Sequence, residues 1–320
     1  MSESWDVFVA RSQCLDTITD WVRFSVSQMQ QYNVFFGHGT DNVWDESLQL
    51  VFTALALPNE MGEKQVQLLA NARITDDEKR VLQDWLFKRT YNQIPLPYLT
   101  NTAWFANKPF YVDERVIIPR SPFAELIEEN FQPYLDEQFS PIHILDMCTG
   151  SACIAITLAL AFKDASVDAV DIDTDALDVA SINVSNYHLE ERVYPIQSDV
   201  FASLSGQKYD LIVANPPYVD TEDMSDLPQE FLHEPEHALA SGEDGLDLTV
   251  RIVKDAAKHL NQNGWLFVEV GNSEVHFAAR FNSLDIRWCE LRRGGSGIFA
   301  ISKSQLDAQS NKILNLQQES

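Results

Sequence analysis

The residues with the clearest chemistry in this sequence are Asn215-Pro216-Pro217-Tyr218, which follow the apolar run 209–214. The two prolines fix φ and lack N–H donors, so nearby carbonyl groups remain available as acceptors. The side-chain oxygen of Asn215 and the carbonyl oxygen of Pro216 can together accept both hydrogens of one NH₂ group, and Tyr218 can pack on the flat group that carries it. Such a nitrogen is a poor nucleophile, and two fixed acceptors aim it and stabilise its developing positive charge. We predict Asn215, Pro216 and Tyr218 as catalytic, and Pro217 as a further substrate-binding residue.

Three other polar groups follow predicted strands. The loop 146–151 contains Gly150, which permits a tight turn beside the free N–H groups of the next helix. Asp171 ends the second strand, where a carboxylate can accept hydrogen bonds from both hydroxyls of a ribose. Asp199 follows the third strand and can accept from an exocyclic amine, with Val200 as an apolar neighbour for a purine. Taken alone, the loop 146–151 is equally typical of an ordinary strand–helix turn, and Asp171 and Asp199 are more typical of ordinary strand-end or turn residues.

The elements that would position these groups alternate between helix and strand from about residue 123. The predicted helices are 123–135, 154–162, 174–187 and 248–260, and the predicted strands are 142–145, 167–170, 193–196, 209–214 and 265–270, with 286–289 and 298–301 as a terminal antiparallel pair. Strands separated by helices favour a mostly parallel sheet with right-handed crossovers. The predicted fold class is therefore α/β, and ligands of such sheets bind at the carboxyl ends of the strands.

The residues before this region have a different pattern. Helical periodicity dominates the first ninety residues, and Thr75 with Glu78 has the spacing of a capping box. Pro95 and Pro97 end the helical pattern, and 104–112 is typical of a β-hairpin. We predict a helical substrate-recognition domain at 1–93, a β-hairpin connector at 94–120, an α/β domain at 121–303 and a polar tail at 304–320.

Together, the four polar groups resemble those of the class I S-adenosylmethionine-dependent methyltransferases, in the branch that methylates planar NH₂ groups. The resemblance covers residues 115–302 and implies a Rossmann-like, seven-stranded, mostly parallel sheet. It implies that S-adenosylmethionine is bound and S-adenosylhomocysteine released, with the loop 146–151 on the methionine part, Asp171 on the ribose, and Asp199 with Val200 on the adenine. The cofactor-binding residues implied are Asp146, Thr149, Gly150, Ser151, Asp171, Asp199, Val200 and Asn215.

One position departs from the pattern of that family. The common Gly-x-Gly of the first loop is here Cys148-x-Gly150-x-Ala152. Ala152 adds a methyl group at a tight point, and we expect it to weaken cofactor binding without abolishing it.

Further segments narrow the resemblance to the protein-glutamine N5-methyltransferases. These segments are 116–127, 234–239 and 242–246. Release-factor enzymes of that group typically carry Pro-Arg-Pro-[Asp/Glu]-Thr-Glu, whereas this chain has Pro-Arg-Ser-Pro-Phe-Ala-Glu at 119–125. The stretch 36–46 resembles the enzymes that act on the third protein of the large ribosomal subunit. The resemblance therefore implies S-adenosylmethionine-dependent N5-methylation of a glutamine side chain on that ribosomal protein.

Three alternatives remain open at this point. A release-factor glutamine methyltransferase shares most of these motifs. A DNA adenine N6-methyltransferase uses the same Asn-Pro-Pro-Tyr turn, because adenine also offers an NH₂ on a planar system, but it should carry a basic groove. A binding module that kept the fold without the activity is the third.

The charge of the chain bears on its partners. Asp and Glu number 48 against 23 Lys and Arg, which gives a net charge of −25. From Asp220 to Asp247 there are ten acidic residues and no Lys or Arg. This balance disfavours nucleic acid and anionic membranes and favours a basic protein, such as an RNA-binding ribosomal protein. A solvated acidic loop is the plain alternative.

The remaining composition predicts no metal centre and no disulfide framework. The four cysteines show no C-x-x-C spacing, and the first residues lack the basic and apolar regions of a signal peptide. We expect a cytoplasmic protein with no direct contact to membranes or nucleic acid, and the sequence leaves its oligomeric state open.

Overall fold

The computed structural model describes residues 4–58 and 61–315. The chain divides into two compact units, Met1–Thr102 with Pro228–His233, and Ala103–Leu227 with Glu234–Ser320. We call them the helical unit and the sheet unit.

Several helices of the helical unit begin at polar capping residues. Thr17 caps the second helix and Thr75 caps the fifth, each in a capping box that satisfies N–H groups left free at a helix start. The predicted box of Thr75 and Glu78 is thus confirmed. The helices are α1 (Trp5–Ser12), α2 (Ile18–Gln31), α3 (Val43–Ala54), α4 (Glu63–Leu69), α5 (Asp76–Tyr91) and α6 (Leu96–Thr100), with a 3₁₀ turn at Gln229–His233.

A buried arginine joins the two sequence segments of this unit. Arg89 on α5 is 1% exposed, and its Nε donates to Glu46 Oε1 on α3 at 2.5 Å. Its Nη1 lies 3.3 Å from Glu230 Oε1, which also accepts from the Phe35 backbone N–H at 2.7 Å. Buried charges persist only when they are paired. The segment Pro228–His233 is therefore held to the helices by ionic as well as apolar contacts.

The sheet unit starts with a hairpin and then alternates strands with helices. Its strands are β1 (Ala103–Phe105), β2 (Lys108–Phe110), β3 (His143–Met147), β4 (Ser166–Asp171), β5 (Val193–Gln197), β6 (Tyr209–Ala214), β7 (Leu260–Glu269), β8 (Arg287–Trp288) and β9 (Ile298–Ser302). Its helices are α7 (Phe123–Glu128), α8 (Cys153–Ala161), α9 (Thr174–Asn186), α10 (Thr221–Asp226), α11 (Asp247–His259), α12 (Glu274–Arg280), α13 (Lys303–Ala308) and α14 (Ser310–Asn315).

In the part of the chain that the structure describes, seven strands form one sheet in the order β5-β4-β3-β6-β7-β9-β8. The pairs from β5 to β7 are parallel, and β9 is antiparallel to both neighbours. The predicted α/β class with a mostly parallel sheet is confirmed. The chain runs outward from β3 to β5 and then returns to β6, so the strand order reverses between β3 and β6, where ligands of such sheets bind.

Both faces of this sheet are buried, as the apolar strand sequences require. Ile144 and Val213 belong to the apolar core on one face, and Leu145 and Ile212 to the core on the other. Successive side chains of a strand point to opposite faces. The sheet is therefore fixed in register, and the strand ends that carry the polar groups are held rigidly.

Two predicted elements differ from the structure. The helix predicted at 123–135 ends at Glu128, and Asn130 and Phe131 beyond it have positive φ, which a right-handed helix does not contain. The segment predicted as a polar tail from residue 304 is helical over most of its described residues, since α13 and α14 are Lys303–Ala308 and Ser310–Asn315. Ser302 caps α13, and Leu306 and Ile313 are buried. The rest of that tail lies outside the described residues.

Candidate active site

A cavity lies where the strand order reverses, within the sheet unit. Five of the predicted cofactor-binding residues line it, namely Gly150, Asp171, Asp199, Val200 and Asn215. Pro217 lines it as well. The four polar groups are far apart in sequence, and the carboxyl ends of β3, β4, β5 and β6 bring them to one crevice.

Asn215 follows the last residue of β6 and has an unusual environment. Its Oδ1 is buried and has no hydrogen-bond partner among the described residues. A buried carbonyl oxygen without a donor costs about 1–3 kcal/mol, so native structures usually supply one. Because Asn215 also lines the cavity, a donor from a ligand bound there is one way to satisfy this oxygen.

Asp171 at the end of β4 is already tied to the backbone around it. Its Oδ2 accepts from the Gly150 N–H at 2.9 Å, and its Oδ1 accepts from the Asp173 N–H at 3.1 Å. Burial nevertheless raises the pKa of Asp171 above its ordinary value. Each carboxylate oxygen has two lone pairs, so both keep acceptor capacity for a ligand.

Asp199 has a partner that the sequence did not indicate. Arg251 on α11 donates from Nη2 to Asp199 Oδ1 at 2.7 Å, and both side chains are about half exposed. Exposed pairs of this kind contribute roughly 0–1 kcal/mol. Arg251 therefore holds the carboxylate of Asp199 in place only weakly. Replacing this partner by a ligand donor would cost little free energy.

Three predicted loop residues do not line the cavity. Asp146 is 0% exposed, and its Oδ2 accepts from Thr149 Oγ1 at 2.5 Å and from the Ala155 N–H at 3.0 Å. Burial raises the pKa of Asp146 to about 7. Thr149 and Ser151 are buried as well. That the loop 146–151 holds the methionine part of the cofactor stays a prediction; in the structure Asp146 and Thr149 bind each other and hold the loop in shape.

Two residues of the predicted catalytic turn, Asn215–Tyr218, do not line the cavity. Pro216 is buried and does not line the cavity. Tyr218 does not line it either, and its hydroxyl donates to Glu269 Oε1 at 3.1 Å. The packing of Tyr218 on a flat substrate group stays a prediction, and in the structure its hydroxyl is tied to β7.

Four residues of the cavity wall were not predicted from the sequence. Arg115, Val116 and Ile117 line it, together with His237. Arg115 is fixed by Asp113, with Nε to Oδ1 at 2.8 Å and Nη2 to Oδ2 at 2.6 Å. The segments 116–127 and 234–239 had pointed to the family without suggesting a place in the site, because long-range packing alone brings them there.

Comparison with known proteins places the chain in a family. The model of the methyltransferase small domain matches residues 131–245. The ribosomal protein uL3 glutamine methyltransferase of Francisella tularensis is 42% identical over 292 residues, which cover 91% of this chain and 92% of that protein. The chain belongs to the ribosomal protein uL3 glutamine methyltransferases. The member of this family from Neisseria gonorrhoeae is 44% identical over 300 residues, 94% of this chain and 99% of that protein.

The chain thus shares nearly the whole length of these uL3 glutamine methyltransferases, including the helical unit. A crystal structure of a methyltransferase from Pyrococcus furiosus superposes with a TM-score of 0.45 at 15% identity, over 61% of this chain and 88% of that one, too distant a likeness to bear on function.

Two further findings concern the described residues only. Within 4–58 and 61–315, no helix is long and apolar enough to cross a membrane. The same residues contain no group of three or more His, Cys, Asp and Glu side chains placed to hold a metal ion.

Proposed function

We propose that this chain transfers a methyl group from S-adenosylmethionine to the side-chain amide nitrogen of a glutamine in ribosomal protein uL3. The relatives that share over nine-tenths of its length carry that name. The observation that carries the proposal is the buried Oδ1 of Asn215, an acceptor without a donor at the edge of the cavity where the strand order reverses.

The residues around this cavity fit S-adenosylmethionine. Asp171 offers free acceptor capacity for ribose hydroxyls, and Asp199 with Val200 offers an acceptor beside an apolar surface for adenine. The Gly150 turn brings backbone close to the cavity without a side chain. When bound, S-adenosylmethionine supplies a methyl group activated by a sulfonium, with S-adenosylhomocysteine as the leaving product.

Asn215 and Pro216 supply the other half of the chemistry. Asn215 Oδ1 accepts one hydrogen of the glutamine NH₂ and the Pro216 carbonyl accepts the other, which fixes the nitrogen and stabilises the positive charge that builds on it. The methylated nitrogen is acidic and releases its extra proton to water, so no general base is needed. We therefore give His237 no proton-transfer role, although it lines the cavity.

Charge supports a basic protein as substrate. Of the ten acids between Asp220 and Asp247, Glu230 and Glu234 are buried and paired with arginines, and Asp244 pairs with Arg280. Five others are exposed, namely Glu222, Asp226, Glu236, Glu243 and Asp247. A basic ribosomal protein would meet this exposed set next to the catalytic turn.

The decisive experiment is mass spectrometry of purified uL3 after incubation with this protein and isotope-labelled S-adenosylmethionine. We expect one added methyl group on a glutamine side chain. A release factor treated in parallel should remain unmodified. Methylation of the release factor with none on uL3 would contradict the proposal.

Asn215→Ala tests the residue on which the mechanism depends. Loss of one preorganised hydrogen-bond acceptor should lower kcat by about 10²–10³, as removal of comparable groups does in other enzymes. Affinity for S-adenosylmethionine, measured by calorimetry, should change by less than about threefold, because Asp171 and Asp199 remain. Retained turnover would remove the central role of Asn215.

A further inference from the structure

Glu269 is a buried carboxylate that the proposed mechanism does not use. It ends β7, next to β6, and the register pairs Ala214 with Val268, so Glu269 lies beside the start of the catalytic turn. It is 2% exposed. Neither the sequence motifs nor the cavity lining includes it.

Both oxygens of this carboxylate have defined donors. Ser121 Oγ donates to Oε2 at 2.5 Å, and the Tyr218 hydroxyl donates to Oε1 at 3.1 Å. Ser121 is itself buried, and its Oγ also accepts from the Phe123 N–H at 3.1 Å. Glu269 therefore links a rigid segment before α7 to the last residue of the Asn215–Tyr218 turn.

Tyr218 is held from other directions as well. Its carbonyl oxygen accepts from Ser273 Oγ at 2.7 Å. A Cβ on Gly271 would lie 2.3 Å from Tyr218 Cε2, and a Cβ on Gly245 would lie 2.2 Å from the Tyr218 carbonyl oxygen. Both glycines have positive φ, +46° and +73°. The backbone thus closes around the ring and carbonyl of Tyr218 and leaves them little freedom.

The surroundings of Glu269 place its ionisation near neutral pH. Burial raises its pKa to about 7, against the hydrogen bonds from Ser121 and Tyr218 and the positive charge of Arg120. Arg120 is in turn bound by Glu234, with Nη1 to Oε1 at 2.6 Å and Nη2 to Oε2 at 2.8 Å. The ionised form accepts from both hydroxyls, and the protonated form loses acceptor capacity.

We propose that Glu269, anchored by Ser121, is a positioning residue that fixes Tyr218 and thereby the turn carrying the Asn215 and Pro216 acceptors. The expected effect of this inference on kcat rests on the proposed function. The structural part is independent of it: ionisation of Glu269 changes the hydrogen bond of the Tyr218 hydroxyl.

A double-mutant cycle tests the kinetic part. Glu269→Gln and Tyr218→Phe should each lower kcat roughly ten- to a hundredfold, since small displacements of a catalytic group have effects of that size. Affinity for S-adenosylmethionine should stay within about threefold, and the double variant should be no slower than Tyr218→Phe, because both changes break one linkage. Exposed counterparts, Glu290→Gln and Tyr194→Phe, are the controls and should match the wild type.

The pH profile adds a readout that a merely structural role would not move. The kcat of the wild type should rise through an inflection near pH 7, as Glu269 ionises, and this inflection should be absent in Glu269→Gln. Full multiplication of the two single effects in the double variant, or an unchanged inflection in Glu269→Gln, would overturn the inference.

Tyrosine Cζ NMR of the full chain separates this inference from the proposed function. The Tyr218 resonance, assigned by its loss in Tyr218→Phe, should shift with an inflection near pH 7 that Glu269→Gln abolishes. Ser121→Ala removes a donor to the ionised form and should move the inflection upward, which supplies a second variant if Glu269→Gln does not fold. If the Tyr218 resonance shifts near pH 7 but uL3 is not methylated, only the proposed function is refuted. If the shift is absent in the wild type, or persists in Glu269→Gln, the role of Glu269 is refuted.

Discussion

Asp171 combines two tasks in one carboxylate. It accepts the Gly150 and Asp173 N–H groups, which shapes the turn after β3, and it also lines the cavity. The hydrogen bonds are charge-assisted, which makes each worth about 1.5–3 kcal/mol. In the proposed function, this side chain would couple the shape of the glycine turn to the binding of a ribose.

Asp171→Ala should therefore weaken binding of S-adenosylmethionine by roughly ten- to a hundredfold, with Asp171→Asn intermediate because it keeps one acceptor oxygen. Isothermal titration calorimetry measures the affinity directly. Asp175→Ala, an exposed acid on the following helix, serves as the control and should bind like the wild type. Unchanged affinity of Asp171→Ala would refute the ribose assignment.

Asp146 should leave a mark on the pH dependence of stability. Its pKa in the folded protein is about 7, raised by burial from an ordinary 3.8, so the folded state binds a proton that the unfolded state releases. Its stabilising contribution is complete below about pH 4 and is lost as pH rises through 7, by an amount of about 4 kcal/mol at 1.36 kcal/mol per pKa unit.

Thermal unfolding of Asp146→Asn between pH 4 and 8 checks this sign. Its melting temperature should fall less steeply with rising pH than that of the wild type, and the slope that remains includes the contribution of Glu269. The exposed Asp164→Asn should keep the slope of the wild type. Equal slopes for Asp146→Asn and the wild type would contradict the assignment.

At the scale of elements, the loops after the strands matter more than the strands themselves. Gly271 and Gly206 both have positive φ, +46° and +82°, and so carry the same conformational penalty when replaced by alanine, about 1 kcal/mol. They differ in space: a Cβ at Gly206 meets nothing within 4 Å, whereas at Gly271 it meets the Tyr218 ring.

The pair therefore separates backbone strain from displacement of the turn. Gly206→Ala should lower the free energy of unfolding by about 1 kcal/mol and leave kcat unchanged. Gly271→Ala should destabilise more and also lower kcat at least tenfold, because the Tyr218 ring must move. Denaturant unfolding and a methyl-transfer assay measure the two effects. Equal kcat in both variants would show that the position of Tyr218 does not matter.

The limits of the strands could be predicted only where the sequence carries a local signal. The buried strand 209–214 was predicted with its observed limits, because continuous apolar residues bounded by a turn are a local signal. β7 begins at Leu260, five residues before the predicted start, since its polar first half carries no such signal.

The candidate site divides in the same way. Asp171 and Asn215 directly follow predicted strands, and Asp199 lies three residues beyond one. Topology brings strand ends together, so the convergence of these residues was predictable. Arg115 and Glu269 were missed. The position of Arg115 at the cavity and the burial of Glu269 both depend on packing between segments about a hundred or more residues apart in sequence.

At the scale of the whole molecule, the negative charge favours association with a basic protein partner. The net charge of −25 is concentrated after residue 110, where 35 acids face 14 bases. Part of the acidic stretch 220–247 is internal structure, as the buried Glu230 and Glu234 demonstrate. Only its exposed members are available to raise the encounter rate with a basic partner, an effect that salt screens.

Neutralising these exposed acids should separate steering from catalysis. The quadruple change E222Q/D226N/E236Q/E243Q should lower kcat/KM for uL3 by roughly tenfold at low salt, through the association rate, while kcat changes little. The difference from the wild type should shrink between about 50 and 300 mM salt, as the Debye length falls. The matched control E137Q/D164N/E190Q/E191Q removes four exposed acids from the segments that precede β3, β4 and β5, at the opposite edge of the sheet, and changes the net charge equally. If both quadruple variants lose the same kcat/KM, total charge rather than the loop after the catalytic turn attracts the substrate.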